Sequence, residues 1–141
     1  MTILLVGIFG YIYITTGNIL PNGKFDKKYD NAIAIVKENE EEALTLFNKI
    51  DKESPNRVIE FIDSTGIPKW EENIRILNEL DKIKGLYKQL LKQDELLRNY
   101  CNLRIESYRL IKKALMENSK IYDQQIENIN YKIELEISKL K

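Results

Sequence analysis

Between residues 3 and 20 the chain is apolar almost without interruption, and from residue 24 onward apolar residues recur at helical intervals in a densely charged background. The first pattern predicts one uncharged element, the second a set of amphipathic helices. A helix is expected from about 25–30 to 51, with Ile33, Val36, Ala43, Leu44, Phe47 and Ile50 along one side. Ser54-Pro55 reads as an N-cap followed by the first helical position, and Val58, Ile59, Phe61 and Ile62 give the short helix after it an apolar face. Gly66 and Pro68 are expected to stop that helix, and another is expected to begin near Pro68, with Glu71 and Glu72 in its first turn complementing the helix dipole.

Trp70, Ile74 and Leu77 share a face, which predicts a core tryptophan rather than an exposed binding anchor. Gly85 marks a helix end, and no Gly or Pro follows it. A single helix through the whole of that remainder would be about 84 Å long, so a break near Asn118-Ser119 and two long helices are expected. A four-three spacing runs from Ile76 through Leu80, Ile83, Tyr87, Leu90, Asp94, Leu97, Cys101, Arg104, Tyr108 and Ile111 to Leu115, interrupted by Asp94 and Arg104. A second lane holds Leu96, Tyr100, Leu103, Leu110, Ala114 and Ile121, and a third holds Tyr122, Ile126, Ile129, Ile133, Ile137 and Leu140. Adjacent lanes make a face wider than a two-stranded coiled-coil seam. The expected fold is therefore all-α, an antiparallel helical bundle with long C-terminal helices.

The charge distribution divides the chain in two. All 22 Lys and Arg and all 22 Asp and Glu lie at 24–141, and the first 23 residues carry none. Spanning a bilayer takes about 20 mostly apolar residues, so 1–23 reads as a transmembrane anchor and turn, closed by Pro21-Asn22-Gly23, and 24–141 as a charged α-helical domain. The alternative keeps 3–20 within a soluble protein, as a buried core helix or a β-rich hairpin, because Tyr11-Ile12-Tyr13-Ile14-Thr15-Thr16 suits a strand as well as lipid. The basic start and small-residue cleavage site of a signal peptide are not evident. Gly7, Gly10 and Gly17 fall within about 80° on a helix, a stripe that would admit a second membrane helix, although no small-xxx-small pair is present.

Candidate chemistry is sparse. The chain has no His, which excludes Ser-His and Cys-His nucleophile systems and His-ligated metal sites. Cys101 stands alone in an apolar lane and reads as an inert buried thiol. The acidic run Glu38, Glu40, Glu41 and Glu42 points in diverging directions on a helix and does not read as a cation site. Gly23-Lys24-Phe25 lacks the spacing and the Ser/Thr of a phosphate-binding loop. Arg98, Arg109, Lys112 and Lys113 share a helix face with Tyr100 and Tyr108 nearby, the best candidate for an anion or nucleic-acid surface. Glu95 and Glu106 lie on the same side, and Asp94–Arg98 and Glu106–Arg109 are spaced as intrahelical pairs. With zero net charge, the face reads as self-neutralising. No catalytic, cofactor-binding or metal residue is assigned, and no nucleic acid, small-molecule substrate or cofactor is expected.

Two stretches, Gly66-Ile67-Pro68-Lys69-Trp70-Glu71-Glu72-Asn73-Ile74 and Asn99-Tyr100-Cys101-Asn102-Leu103-Arg104-Ile105-Glu106-Ser107-Tyr108, resemble the C-terminal helical extension that follows the membrane core in some bacterial rhomboid-family intramembrane proteases. The resemblance covers roughly residues 30–141 and implies an accessory domain tethered to a membrane. The family's Gly-x-Ser-Gly nucleophile and His partner are absent, so no protease activity is implied. Lys24, Lys27 and Lys28 after the apolar segment point to a cytoplasmic domain. The resemblance admits the opposite side, and the side of the domain stays open. The sequence thus predicts a non-enzymatic, single-pass membrane protein whose helical domain contacts a protein partner or a second copy of itself. The competing reading is a soluble helical adaptor or oligomerising bundle with 3–20 in its core.

Overall fold

The structure, a computed structural model, describes residues 26–140. The expected membrane helix at 3–20, its glycine stripe and the turn at 21–23 lie outside the described residues. The described residues are helical with no strand, and four helices form a packed bundle. The chain forms α1 (Asp26–Leu44), the short α2 (Leu46–Ile50) and α3 (Pro55–Phe61), a π-helical turn (Ile62–Gly66), α4 (Ile67–Leu80), α5 (Lys88–Glu117) and α6 (Asp123–Leu140).

The first expected helix is interrupted once. Thr45 is a turn residue between α1 and α2, and its hydroxyl donates to the Glu42 carbonyl at 2.7 Å. Such back-bonding draws the chain out of regular helix. Ser54 occupies the N-cap position with extended backbone and Pro55 follows it in the first turn, although the serine side chain makes no capping bond.

The expected stop at Gly66 and Pro68 is corrected by the structure. The backbone stays in the right-handed helical region from Phe61 through Gly66 to Ile67, so α3 and α4 join through the π turn. Proline has no N–H for the regular helical bond and its ring crowds the preceding turn. One widened turn accommodates both effects without ending the helix. Because α4 already begins at Ile67, Glu71 and Glu72 lie beyond its first turn.

The other predicted boundaries are present. Helix α4 ends at Leu80, and Gly85 takes a positive φ of 81° in the connection that follows. Helix α5 ends at Glu117, with Asn118 in the left-handed region at φ 46°, ψ 49°. There the chain reverses into α6.

Side-chain pairings fix the direction of each helix. Tyr29, Glu40 and Ala43 of α1 meet Asp94, Tyr100 and Tyr108 of α5, so these two helices run parallel. Val36, Asn39 and Glu42 of α1 meet Asn73 and Lys69 of α4, so α4 runs the opposite way. Residues 99–106 of α5 face 132–139 of α6 across a groove, with α6 antiparallel to α5. The directly packed pairs, α1 with α4, α4 with α5 and α5 with α6, are thus antiparallel, and α1 and α5 run parallel on either side of α4. The reason is connectivity: α2, α3 and the π turn return the chain along α4 between the two.

The core lies where all the apolar lanes meet. Ile33, Val36, Leu46, Val58, Ile62, Trp70, Leu77, Leu97, Tyr108, Ile126 and Ile133 are all buried. The third lane is almost wholly interior, with Ile126, Ile129, Ile133, Ile137 and Leu140 buried. The end of the second lane is not: Ile121, in the turn before α6, is 71% exposed. Trp70 is fully buried and sits edge-on to Tyr100 and Tyr108 at centroid distances of 5.5 and 6.1 Å. Both ring partners stand on α5.

Candidate functional site

The positions that interrupt the apolar lanes build a polar seam inside the bundle. Helix periodicity turns Tyr29, Asn39, Glu40 and Ala43 of α1 inward, and brings Asp94, Tyr100, Arg104 and Tyr108 of α5 and Asn73 of α4 to meet them. Asn39, Glu40, Asn73, Asp94 and Arg104 are at most 4% exposed. Polar groups at such depth must find partners in the protein, and the seam supplies them level by level.

At the level of the α1 start, the Tyr29 hydroxyl donates to Asp94 Oδ1 at 2.7 Å. Asp94 also lies within hydrogen-bond reach of Asp81, whose own carboxylate is paired with Arg98. Burial pushes the Asp94 carboxyl up to about 8, the neighbouring Asp81 carboxyl adds to the effect, and the Tyr29 bond opposes it. Asp94 is therefore mostly protonated at neutral pH. Two buried oxygens, Asp94 Oδ2 and Asp81 Oδ1, find no donor among the neighbouring side chains. A proton shared between the two carboxyl groups gives both a partner. Burial and the adjacent Asp94 raise the Tyr29 phenol well above its ordinary range, so it remains a donor.

One level along, Asn39 Nδ2 donates to Asn73 Oδ1 at 2.9 Å, and Asn73 Nδ2 donates to the Val36 carbonyl at 3.0 Å. Lys69 reaches in from the edge to Asn39 Oδ1 at 3.1 Å and pairs with Glu42 at 3.1 Å. Next, the Tyr100 hydroxyl donates to Glu40 Oε1 at 2.7 Å and accepts from Arg104 Nε at 3.1 Å. The Arg104 guanidinium lies over the rings of Phe47 and Tyr100, 5.6 and 5.1 Å from their centroids. At the far end, the Tyr108 hydroxyl donates to the Ala43 carbonyl at 2.6 Å. That carbonyl is in the last turn of α1, where helical carbonyls lack a partner of their own.

This arrangement suits specification of helix register better than turnover. Each pairing works only at one relative position of α1, α4 and α5, whereas apolar contacts tolerate sliding. Cys101, next to the Glu40–Tyr100–Arg104 level, is 1% exposed, and burial holds its thiol far above the ordinary range. It is the inert thiol expected from its lane.

The other sequence candidates are dispersed. Arg98 pairs with Asp81 rather than forming the expected intrahelical pair with Asp94. Lys112 pairs with Asp63 at 2.7 Å, Lys113 lies over the Tyr122 ring at 6.0 Å, and Tyr100 and Tyr108 face the core. Three of the four basic side chains of the expected surface thus turn to different partners. Of the acidic run, Glu40 is buried while Glu38, Glu41 and Glu42 are exposed. The sequence marked the seam only as defects at Asp94 and Arg104; Tyr29, Asn39, Glu40 and Asn73 gave no separate signal, since each looks like an ordinary helix-surface residue. Compared with known proteins, the chain matches no family model, no curated protein and no solved structure.

Proposed function

We propose that residues 26–140 are the contact domain of a non-enzymatic protein tethered to a membrane through residues 3–20, an accessory domain of the kind the rhomboid resemblance implies. The observation that carries this reading is the division of charge: an uncharged terminal segment of 23 residues precedes residues 24–141, which hold every charged residue of the chain. Among the described residues no helix is long and apolar enough to cross a membrane, so the proposal assigns the anchor to 3–20 alone. The seam supports a scaffolding role, because its carboxylates, tyrosines and arginine bond to one another inside the bundle.

Alkaline-carbonate extraction of membranes from cells expressing the full chain, with a 24–141 truncation beside it, tests the proposal. The full chain is expected in the pellet and the truncation in the supernatant. Release of both overturns the anchor and leaves the soluble adaptor reading in its place.

A further inference from the structure

The outward side of α6 carries a row that the core does not use. Gln124, Asn128, Tyr131, Leu135 and Ser138 follow one another at intervals of four, three, four and three, and all are exposed. In a chain with 31% charged residues, this row contains none. Tyr131 is 62% and Leu135 43% exposed, and Ile121 lies in the turn just before the row. These are three of the six exposed large apolar side chains among the described residues. A four-three spacing is the register of the seam by which one helix packs against another, and Tyr131 and Leu135 are its two apolar members here. Its polar members are already partly satisfied within the helix: Gln124 donates to Asn128 at 3.1 Å, and Ser138 to the Leu135 carbonyl at 2.7 Å.

The flanking charges say what covers it. Glu127 and Glu134 border the row on one side, and Lys132 and Lys139 border it on the other, where with Leu135 they line the open groove beside α5. In a pair of parallel helices, each residue on the first flank faces the residue five positions later on the second flank of its neighbour. Glu127 then meets Lys132 of the second copy, and Glu134 meets Lys139. An antiparallel pair would set Glu against Glu and Lys against Lys. Lys139 is 55% exposed and now pairs at 2.7 Å with Glu136, a side chain only 12% exposed, so the bridge to Glu134 of the second copy shares this lysine between two carboxylates. Asn128 is the second of the five positions, and an asparagine facing its symmetry mate fixes register and favours a parallel pair.

We propose that two copies of the chain pair in parallel through this face of α6, with Tyr131 and Leu135 at the centre and Glu127–Lys132 and Glu134–Lys139 bridges at its borders. The proposal deepens the contact-domain reading and rests on it, naming the partner as a second copy. It also agrees with anchoring. Helix α1 runs antiparallel to α6, so a parallel α6 pair places both α1 starts at one end, where both uncharged segments can enter the same membrane. Helix α6 is only 18 residues long, a modest seam. Confinement of two tethered chains to one membrane raises their effective concentration and compensates for that.

Disulfide trapping in the full-length chain, in membranes, tests this. Leu135→Cys faces its own symmetry mate in the pair, and mild oxidation should give a covalent dimer, whereas Arg57→Cys on the exposed side of α3 should stay monomeric. Charge reversal at Glu127→Lys and Glu134→Lys should reduce the Leu135→Cys dimer at least about tenfold, because like charges now face each other. Adding Lys132→Glu and Lys139→Glu should restore it. Trapping at residue 135 no stronger than at residue 57 overturns the proposal, as does trapping indifferent to charge reversal. A chain that stays in the carbonate pellet and is dimeric by light scattering yet fails to trap at 135 overturns the α6 interface and leaves the tethered contact domain standing.

Discussion

Asp94 shows how one side chain can bind three helical segments. It accepts from Tyr29 of α1, stands on α5 and meets Asp81 just after α4, and burial favours its neutral form. Burial pushes the folded carboxyl up to about 8, against about 3.9 for the unfolded one. Between those values the folded state holds more protons, so stability falls as pH rises through the window. It is fully present below the lower value and lost above the higher. The slope approaches about 1.4 kcal/mol per pH unit within the window. Asp94→Asn keeps an acceptor for Tyr29 and provides an N–H donor for Asp81. Urea unfolding from pH 5 to 8 should show a declining midpoint for the parent and a flatter one for the variant. A parent midpoint that rises over that range would falsify the protonated assignment. The sequence exposed Asp94 only as a break in an apolar lane, because a carboxyl group's protonation depends on what surrounds it and not on its neighbours in the chain.

At the scale of the element, the junction of α3 and α4 shows local signals yielding to packing. Gly66 and Pro68 are ordinary helix terminators, yet the chain continues through a π turn. The turn seats Gly66 against α5: a Cβ added there would stand 2.9 Å from Tyr108 Cε2 and 3.0 Å from Cδ2. The ring has little room to yield, since its hydroxyl is bonded to the Ala43 carbonyl and its edges pack on Phe47 and Trp70. Glycine is needed here for close approach, not for an unusual φ. Gly66→Ala gains helix propensity of about 1 kcal/mol. Against this stands a packing penalty of about 1–3 kcal/mol. The net expectation is a lower denaturant midpoint, and an unchanged or higher one would show that the ring gives way. Boundaries set by backbone chemistry alone, such as Asn118 in the left-handed region, were legible in the sequence. The close seat of Gly66 was not, because the ring it packs against lies some forty positions further along the chain.

For the whole molecule, a buried core drawn from all four bundle helices and a register-setting seam predict that 24–141 folds as a unit. That truncation should unfold in urea as one cooperative transition that coincides by far-UV CD and tryptophan fluorescence, since Trp70 sits in the middle of the core. Non-coincident transitions, or a chain that aggregates, would count against an autonomous domain. The sequence by itself determined the helical class, the break at Asn118, the buried stripe of α6 and the separation of charged from uncharged chain, because periodicity, turn chemistry and charge are properties of neighbouring residues. Only the tertiary structure decided that α1 and α5 run parallel, that Asp94 and Arg104 are interior partners rather than flaws, and that one face of α6 is left outside the core. Those outcomes depend on which helix faces which, and residues such as Tyr29 and Asp94, 65 positions apart, acquire their chemistry only when folding brings them together.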